Sequence, residues 1–503
     1  MNYQSYLILL ILGVLTGVSY SYIYLIPIII ISFSYLFSLI EKSKNQKNSF
    51  FIGWMFGTGF FLGSMHWIVF PFLVYEKHLL LSPVVLIVFP VSLGLFFSLP
   101  TLFLHNFLRK VNSDFLYFKC TSLSFIFLLS ELIRSNIFGG LPFNLTAQIW
   151  AFNSEFINIV SFLGVYGLSF LTINWLVILS YLILEKKRSF FVFLLIFPIF
   201  LYNFDNFPFK KKSSLSNENI NIRVIQPNIP QEDKWNKLKI PMHLEKLINL
   251  TNKDLNEEEE YLVVWPEVAI PFYLNEEKEL EEYLRKEIKD NVVLITGALR
   301  REFSDNNFKI YNSLYLLNKD ELFVYDKKKL VPFGEFVPLR KLLKFTKLTQ
   351  GSTDFSKGLN KKRINLNIDG EIFFVEPSIC YEAIFQSFVR YKPHLFVNIT
   401  NDAWFGTTIG PKQHLAASIY RAIEKGTPLI RSANSGISVI ANLNGKILKK
   451  IDLQKTGHID VKLSTNNNET FFMKFKNYTL VLLISLLAII SLMSDIITNR
   501  KKN

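Results

Sequence analysis

Cysteine is nearly missing from this chain: its 503 residues hold two, Cys120 and Cys380. One lies in an apolar run and the other far along in a polar region, which argues against a disulfide and leaves Cys120 as a small buried hydrophobe. Histidine is almost as scarce. The seven, at 66, 78, 105, 243, 394, 414 and 458, show no metal-ligand spacing, so no metal is expected. Acidic residues are outnumbered 41 to 55, a formal net charge of +14. That excess is broken into short clusters between apolar runs, which suits membrane orientation better than a nucleic-acid groove. The first apolar run, starting near Tyr6, lacks a basic leader and a small-residue cleavage site, so it reads as a retained span. No internal repeat is visible.

What the chain does have is apolar surface. Half of its residues are hydrophobic and 15% are aromatic, with a mean hydropathy of +0.26. Runs long enough to cross a bilayer fall at roughly 5–20, 22–40, 50–74, 79–107, 114–138, 155–184, 189–205 and 476–496. Basic residues mark alternate loops: Lys42, Lys44 and Lys47; Arg109 and Lys110; Lys186, Lys187 and Arg188; and the terminal Arg500, Lys501 and Lys502. The other loops are nearly free of them, with Lys77 the main exception. By the positive-inside rule both termini are cytoplasmic and the segment between the seventh and eighth spans lies outside. Lys210 to Lys212 stand on the outer side against that pattern, but long domains translocate largely regardless of charge. The division is a transmembrane helical region of seven spans over 1–208, a polar domain over 215–468, and a C-terminal transmembrane helix over 474–498. Within the spans, Glu131 and Arg134 share a helix face. They read either as a pair that positions FGGLPF (Phe138 to Phe143) or as a substrate contact. His66, near the outer end of the third span, reads as an interfacial residue.

From about 212 to 470 short β-rich runs alternate with amphipathic stretches, which argues α/β with a sheet buried between helix layers. Strands are expected at Ile222 to Ile229, Tyr261 to Val264, Val292 to Gly297, Ile372 to Cys380, Leu395 to Thr400 and Leu429 to Ala441. Tyr311 to Leu317 and Leu322 to Tyr325 read as a hairpin. Helices are expected near 240–255, 275–289, 384–391 and 412–425, and the basic stretch from about 340 to 362 reads as a surface insertion or mobile loop.

Three stretches of this domain carry chemistry-bearing residues. Cys380, in PSICYEAIF, sits where a buried strand gives way to a polar turn. Glu267, in VVWPEVA, follows a strand end, where partial burial would help a carboxylate keep its proton; taken alone, it reads more readily as an ordinary turn glutamate. YDKKKLVPFGE offers Lys327, Lys328 and Lys329, among which spacing does not choose, and Glu335, aimed by a glycine turn or salt-bridged to Lys327. An unpaired thiol in a domain facing an oxidising compartment is costly to retain, which favours a working cysteine over a structural one. Base, cation and thiol together make an acyl-transfer set. Asn401, Asp402, Trp404 and Phe405 form a polar-aromatic loop that reads as pocket wall or as packing.

WPE, KKKLVPFGEFVPL and ICYE resemble the Glu-Lys-Cys segments of the nitrilase superfamily, and more closely those of its membrane branch, the apolipoprotein N-acyltransferases. QPNIPQEDKW (226–235), TNDAWFGTTIGPKQH (400–414), RSANSGIS (431–438) and ELIRSNIFGGLPF (131–143) extend the likeness over nearly the whole chain. The resemblance implies a membrane α-helical bundle of about eight spans with a nitrilase-like α-β-β-α sandwich outside the cytoplasm. Position by position it implies Glu267 as general base, Lys327 as the triad lysine and Cys380 as nucleophile. Lys329 stands where the family commonly has a histidine. Glu335 matches an additional glutamate, Tyr381 and Glu382 the neighbours of the nucleophile, and Trp235 a substrate-loop tryptophan. The implied reaction is ping-pong transfer of a phospholipid sn-1 acyl chain, through a Cys380 thioester, to the α-amine of a diacylated apolipoprotein, with no cofactor and no nucleic acid. The implied place is the bacterial inner membrane, with the catalytic domain on the periplasmic side. Nothing demands more than a monomer. A membrane-tethered amidase, releasing acid to water, and a transporter with a regulatory outer domain are the competing readings.

Overall fold

The computed structural model describes residues 3–20, 25–110, 115–206, 219–304, 307–318, 321–338, 340, 347–349, 351, 353–359, 363–465 and 467–500. Lys210 to Lys212, Lys501, Lys502 and much of 340–362 lie outside them, as do the side chains of Lys77, Arg109, Lys110 and Arg500. The chain divides into two units: Met1–Val69, Leu80–Lys211 and Thr470–Asn503 form one, Phe70–Leu79 and Lys212–Glu469 the other.

The first unit is helical, and each of the eight apolar runs holds a helix: α1 (Tyr3–Ser19), α2 (Ile26–Lys42), α3 (Gln46–Met65), α5 (Ser82–Lys110), α6 (Leu116–Asn136), α7 (Val160–Leu184), α8 (Phe190–Tyr202) and α13 (Tyr478–Arg500). The short α12 (Phe471–Phe475) precedes the last. Among the described residues five stretches, Gln46–Leu73, His78–Asn106, Leu116–Gly139, Val160–Leu184 and Tyr478–Ile497, are long and apolar enough to cross a membrane. Helices α1 and α3 pack through small residues that let the backbones touch. A Cβ on Gly13 or Gly17 would lie 2.2 Å from the carbonyl oxygen of Phe56 or Phe60, and one on Gly59 would lie 2.1 Å from that of Leu10. Glu131 and Arg134 both serve the loop after α6. Arg134 donates to the carbonyls of Leu141 and Phe143 (2.6 Å to the latter), and Glu131 accepts from the amide and hydroxyl of Thr146 at 2.8 and 2.7 Å.

The second unit is built on a seven-stranded and a six-stranded sheet. The first runs β13-β1-β2-β4-β5-β6, with β3 also paired to β4; the second runs β12-β11-β10-β9-β8-β7. Their strands are β1 (Asn219–Gln226), β2 (Tyr261–Val264), β3 (Ile270–Tyr273), β4 (Val292–Ser304), β5 (Asn307–Leu317), β6 (Leu322–Asp326), β7 (Ile364–Ile368), β8 (Glu371–Ile379), β9 (Leu395–Thr400), β10 (Leu429–Ala433), β11 (Ser438–Ala441), β12 (Ile447–Ile451) and β13 (Gly457–Ser464). Both arrays repeat one sequence of directions, an antiparallel pair, two parallel pairs and two antiparallel pairs. This is a topological repeat that carries no sequence repeat. Ile220, Ile222, Val224, Leu262 and Val264 from one sheet meet Phe373, Val375, Leu395 and Val397 from the other in a shared core. Helices α9 (Ile240–Asn252) and α10 (Lys278–Glu287) cover the outer face of the first sheet, contributing Leu247, Ile248 and Leu284 to its second apolar layer. Helix α11 (Gly410–Lys425) serves the second sheet, with Ser418 reaching Asn398 of β9. Helix α4 (Phe70–Leu73) groups here as well, and the ring of Phe70 lies against Gly406.

Two expectations need correction. No helix forms near 384–391: a 3-10 turn, Cys380–Ile384, gives way to irregular chain. The side chains there bond outward instead of supporting a ladder, Gln386 to Glu424 and Lys392 to the carbonyls that end α11. The run Leu429 to Ala441 is two antiparallel strands, because the chain reverses between Ala433 and Ser438.

Candidate active site

Three strand ends deliver the chemistry. Glu267 follows β2, Lys327 follows β6 and Cys380 follows β8, and each is buried. The Glu267 turn is tight: Val268, β-branched, sits at φ 46°. It presses on β4 so closely that a Cβ on Gly297 would lie 2.4 Å from the Val268 nitrogen and 2.8 Å from Glu267 Cα. Cys380 itself has φ 47°, and Phe333, in the turn before Glu335, has φ 61°. Left-handed backbone at non-glycine residues costs about 1–3 kcal/mol each and persists only where its surroundings enforce it.

Two carboxylates and two donors interlock. Lys327 Nζ donates to Oε1 of Glu267 at 3.2 Å and to Oε1 of Glu335 at 3.0 Å. Asn312, on β5, donates through Nδ2 to the same two oxygens at 2.7 and 3.0 Å. Glu335 Oε2 accepts from the Val331 amide at 2.9 Å, which fixes its turn. Of the three lysines, therefore, Lys327 enters the site. Lys329 is exposed and its ammonium lies 5.0 Å from the Phe385 ring.

The electrostatics differ from the sequence expectation for Glu267. Burial pushes its carboxyl up, but the ammoniums of Lys327 and Lys234 and the Asn312 bond outweigh burial and hold it below the usual carboxylate range. Burial opposes the Lys327 charge too, yet Glu267 and Glu335 keep that ammonium protonated. The Cys380 thiol is pushed up to about 12, first by burial and then by Glu267, with Lys327 pulling the other way. At neutral pH the site thus holds a thiol, a carboxylate and an ammonium.

Glu382 joins the Cys380 turn to the lysine turn. Its Oε1 accepts from Tyr325 Oη at 2.9 Å, the Lys328 amide at 2.8 Å and the Lys329 amide at 3.3 Å; its Oε2 accepts from the Ile379 amide at 2.9 Å. Tyr381 is half-buried, its ring 5.1 Å from that of Phe385. Trp235 is half-buried in the turn after β1.

Two further side chains and one network complete the site, and of these the sequence marks only Asp402 as a candidate. Asn312 carries no signal on an otherwise ordinary strand. Lys234, beside Trp235, is buried and donates to the main-chain carbonyl of Glu267 at 2.9 Å. Beneath Cys380 lies a buried charged network. His414 Nε2 is 3.1 Å from the Cys380 carbonyl and its Nδ1 is 2.9 Å from Asp402, which pairs with Arg431 at 2.7 Å. Arg431 and His414 hold Asp402 down to about 2 despite burial, while burial and then Arg431 push His414 down. Both ring nitrogens of His414 thus face oxygen acceptors, and Arg431 Nη2 lies 3.2 Å from the same Nδ1 that meets Asp402. Asp402 is thus neither wall nor filler, whereas Asn401 bonds Gln231 at 2.7 Å.

Two sheets between helix layers, with carboxylate, lysine and cysteine meeting at their strand ends, define a carbon-nitrogen hydrolase domain, and the family model for Carbon-nitrogen hydrolase matches residues 221–468. The helical region carries its own match: the Apolipoprotein N-acyltransferase N-terminal domain, over residues 12–178. Apolipoprotein N-acyltransferase of Rickettsia prowazekii (strain Madrid E) is 34% identical over 520 residues, covering 98% of this chain and 99% of that protein. The protein of the same name from Rickettsia typhi (strain ATCC VR-144 / Wilmington) is 33% identical, with coverage of 98% and 99%. That from Rhodopseudomonas palustris (strain ATCC BAA-98 / CGA009) is 29% identical, covering 93% of this chain and 91% of its own. The chain belongs to the apolipoprotein N-acyltransferase family.

Proposed function

We propose that the protein transfers the sn-1 acyl chain of a membrane phospholipid to the α-amine of the N-terminal diacylglyceryl-cysteine of lipoproteins, with Cys380 as the acyl carrier. The observation that carries this reading is the convergence of Glu267, Lys327 and Cys380 in a buried site of a chain rich in membrane-length helices. A resting thiol beside an ionised carboxylate suits the first step. Cys380 gives its proton to Glu267 as sulfur bonds to the ester carbonyl carbon. An ammonium has three donors; two of those on Lys327 go to Glu267 and Glu335, and the third faces the oxyanion together with the amide of Tyr381. Breaking the ester C–O bond and returning the proton from Glu267 releases a lysophospholipid and leaves a thioester. The acceptor amine then attacks the thioester carbonyl, loses a proton to Glu267, and expels the Cys380 thiolate, which takes that proton back.

Glu335 holds Lys327 in place, Glu382 holds the nucleophile turn, and Tyr381 and Trp235 border the acceptor's path. Both substrates are lipids, which accounts for the helical unit. The positive-inside pattern puts this domain on the periplasmic face of the inner membrane and both termini in the cytoplasm. The test is product chemistry. Detergent-solubilised protein given a defined phospholipid and a diacylated lipopeptide is expected to yield triacylated lipopeptide and lysophospholipid in equal amounts. Free fatty acid in place of the triacylated product would mean hydrolysis and would overturn the assignment.

A further inference from the structure

The QPNIPQEDKW turn brings a second lysine into the site. Lys234 is 5% exposed, and among the described residues its only hydrogen-bond acceptor is the Glu267 carbonyl at 2.9 Å. A buried ammonium with no carboxylate of its own is expensive, so its charge must be offset by the site as a whole. The buried carboxylates of Glu267 and Glu335 share this space with the ammoniums of Lys327 and Lys234; Lys347, also buried, faces Asp354 and Glu335, and beneath Cys380 Asp402 is paired with Arg431. Lys327 is engaged by both carboxylates. When the Cys380 proton passes to Glu267, negative charge moves to sulfur and then to the substrate oxygen, and a second fixed cation keeps that movement from building an uncompensated anion in a buried space.

We propose that Lys234 is a positioning residue of the acyl transfer: fixed on the Glu267 carbonyl, its ammonium keeps Glu267 ionised at rest and offsets the charge that appears at Cys380. This rests on the reading of Cys380 as acyl carrier. Burial brings the Lys234 ammonium down to about 8, against the pull of Glu267 and then Cys380. The other charged groups nearby are engaged elsewhere or open to water. Asp233 pairs with Lys239 at 2.7 Å, Glu232 is exposed, and Lys327 lies across Glu267. The cation is therefore lost as pH rises through about 8.

Two rates on the full-length protein in detergent test the proposal in wild type, Lys234→Met and Lys234→Arg. One is iodoacetamide alkylation of Cys380, read on its peptide by mass spectrometry; the other is acyl uptake from phospholipid. Losing the cation raises the thiol's affinity for its proton by about one unit, so Lys234→Met is expected to alkylate about tenfold more slowly at pH 7.5, and Lys234→Arg within about threefold of wild type. Acyl uptake is expected to fall above about pH 8 in wild type and to hold in Lys234→Arg. If Lys234→Met fails to fold, the Lys234→Arg profile decides. Equal alkylation in Lys234→Met and wild type, or an alkaline fall unmoved by arginine, overturns the proposal. A lysine-dependent alkylation rate with no acyl uptake by wild type would instead sink the transfer reading and leave the electrostatic role intact.

Discussion

Replacing Glu382 by glutamine tests how Cys380 is held. The carboxylate receives four donors, three on one oxygen and the Ile379 amide on the other. A glutamine amide keeps the three by turning its oxygen toward them, but its NH2 then faces the Ile379 N–H. One buried donor is orphaned, at about 1–3 kcal/mol, and the remaining bonds lose their charge assistance, so the local loss is about 3–4 kcal/mol. This bond network anchors the residue immediately before Cys380, whose left-handed backbone needs enforcement. Relaxation of that turn would move the sulfur relative to Glu267, and a shift of about 1 Å costs roughly a hundredfold in rate. Hydrogen exchange on peptides covering Lys328–Lys329 and Ile379–Cys380 should quicken by about 10²–10³, and acyl uptake should fall about a hundredfold. Wild-type exchange in both peptides with wild-type uptake would refute the argument.

Lys327→Met should lower acyl uptake by at least about 10³-fold, whereas Lys328→Ala and Lys329→Ala should stay within about threefold, since these two reach Glu382 through main-chain amides; single-turnover acylation compares them. Gly297→Ala drives a methyl into the backbone of the Glu267 turn, and should reduce uptake by about a hundredfold with little effect on α3 or α6 exchange. The Asp402 carboxyl is held at about 2, below its ordinary 3.8, so it stabilises the fold above pH about 4 and that contribution disappears as pH falls toward 2. The amount is about 2 kcal/mol. Denaturant unfolding followed by exchange in the His414 and Arg431 peptides should show the loss in wild type and no such pH dependence in Asp402→Asn.

Much of this was legible because the signals were local. The eight apolar runs are long, and a strand that ends at Trp-Pro-Glu or at Ile-Cys-Tyr-Glu announces a turn. The lysine was ambiguous because three stand in a row, and only the fold separates the one whose ammonium meets Glu267 and Glu335 from neighbours used through their backbones. Glu267 was expected to favour its proton by burial; what reverses this is cations from the turn after β6 and from the turn after β1, 60 and 33 residues away in sequence. Asn312 and the His414–Asp402–Arg431 network were illegible for the same reason, since their partners lie on other elements. The strands β7, β12 and β13 escaped because their alternation is short and partly exposed. The helix expected near 384–391 failed because its side chains bond to α11 and not to its own turn.

The central claim is that Cys380 carries the acyl chain while Glu267 takes its proton. The direct measurement is peptide mass spectrometry after incubation with a phospholipid of known sn-1 chain, comparing wild type, Cys380→Ala and Glu267→Gln. One fatty-acyl mass is expected on the Cys380 peptide of wild type, absent from both variants and discharged by a diacylated lipopeptide. An adduct that survives in Glu267→Gln at the wild-type rate, or no adduct on Cys380 in a protein that still transfers acyl chains, would contradict it.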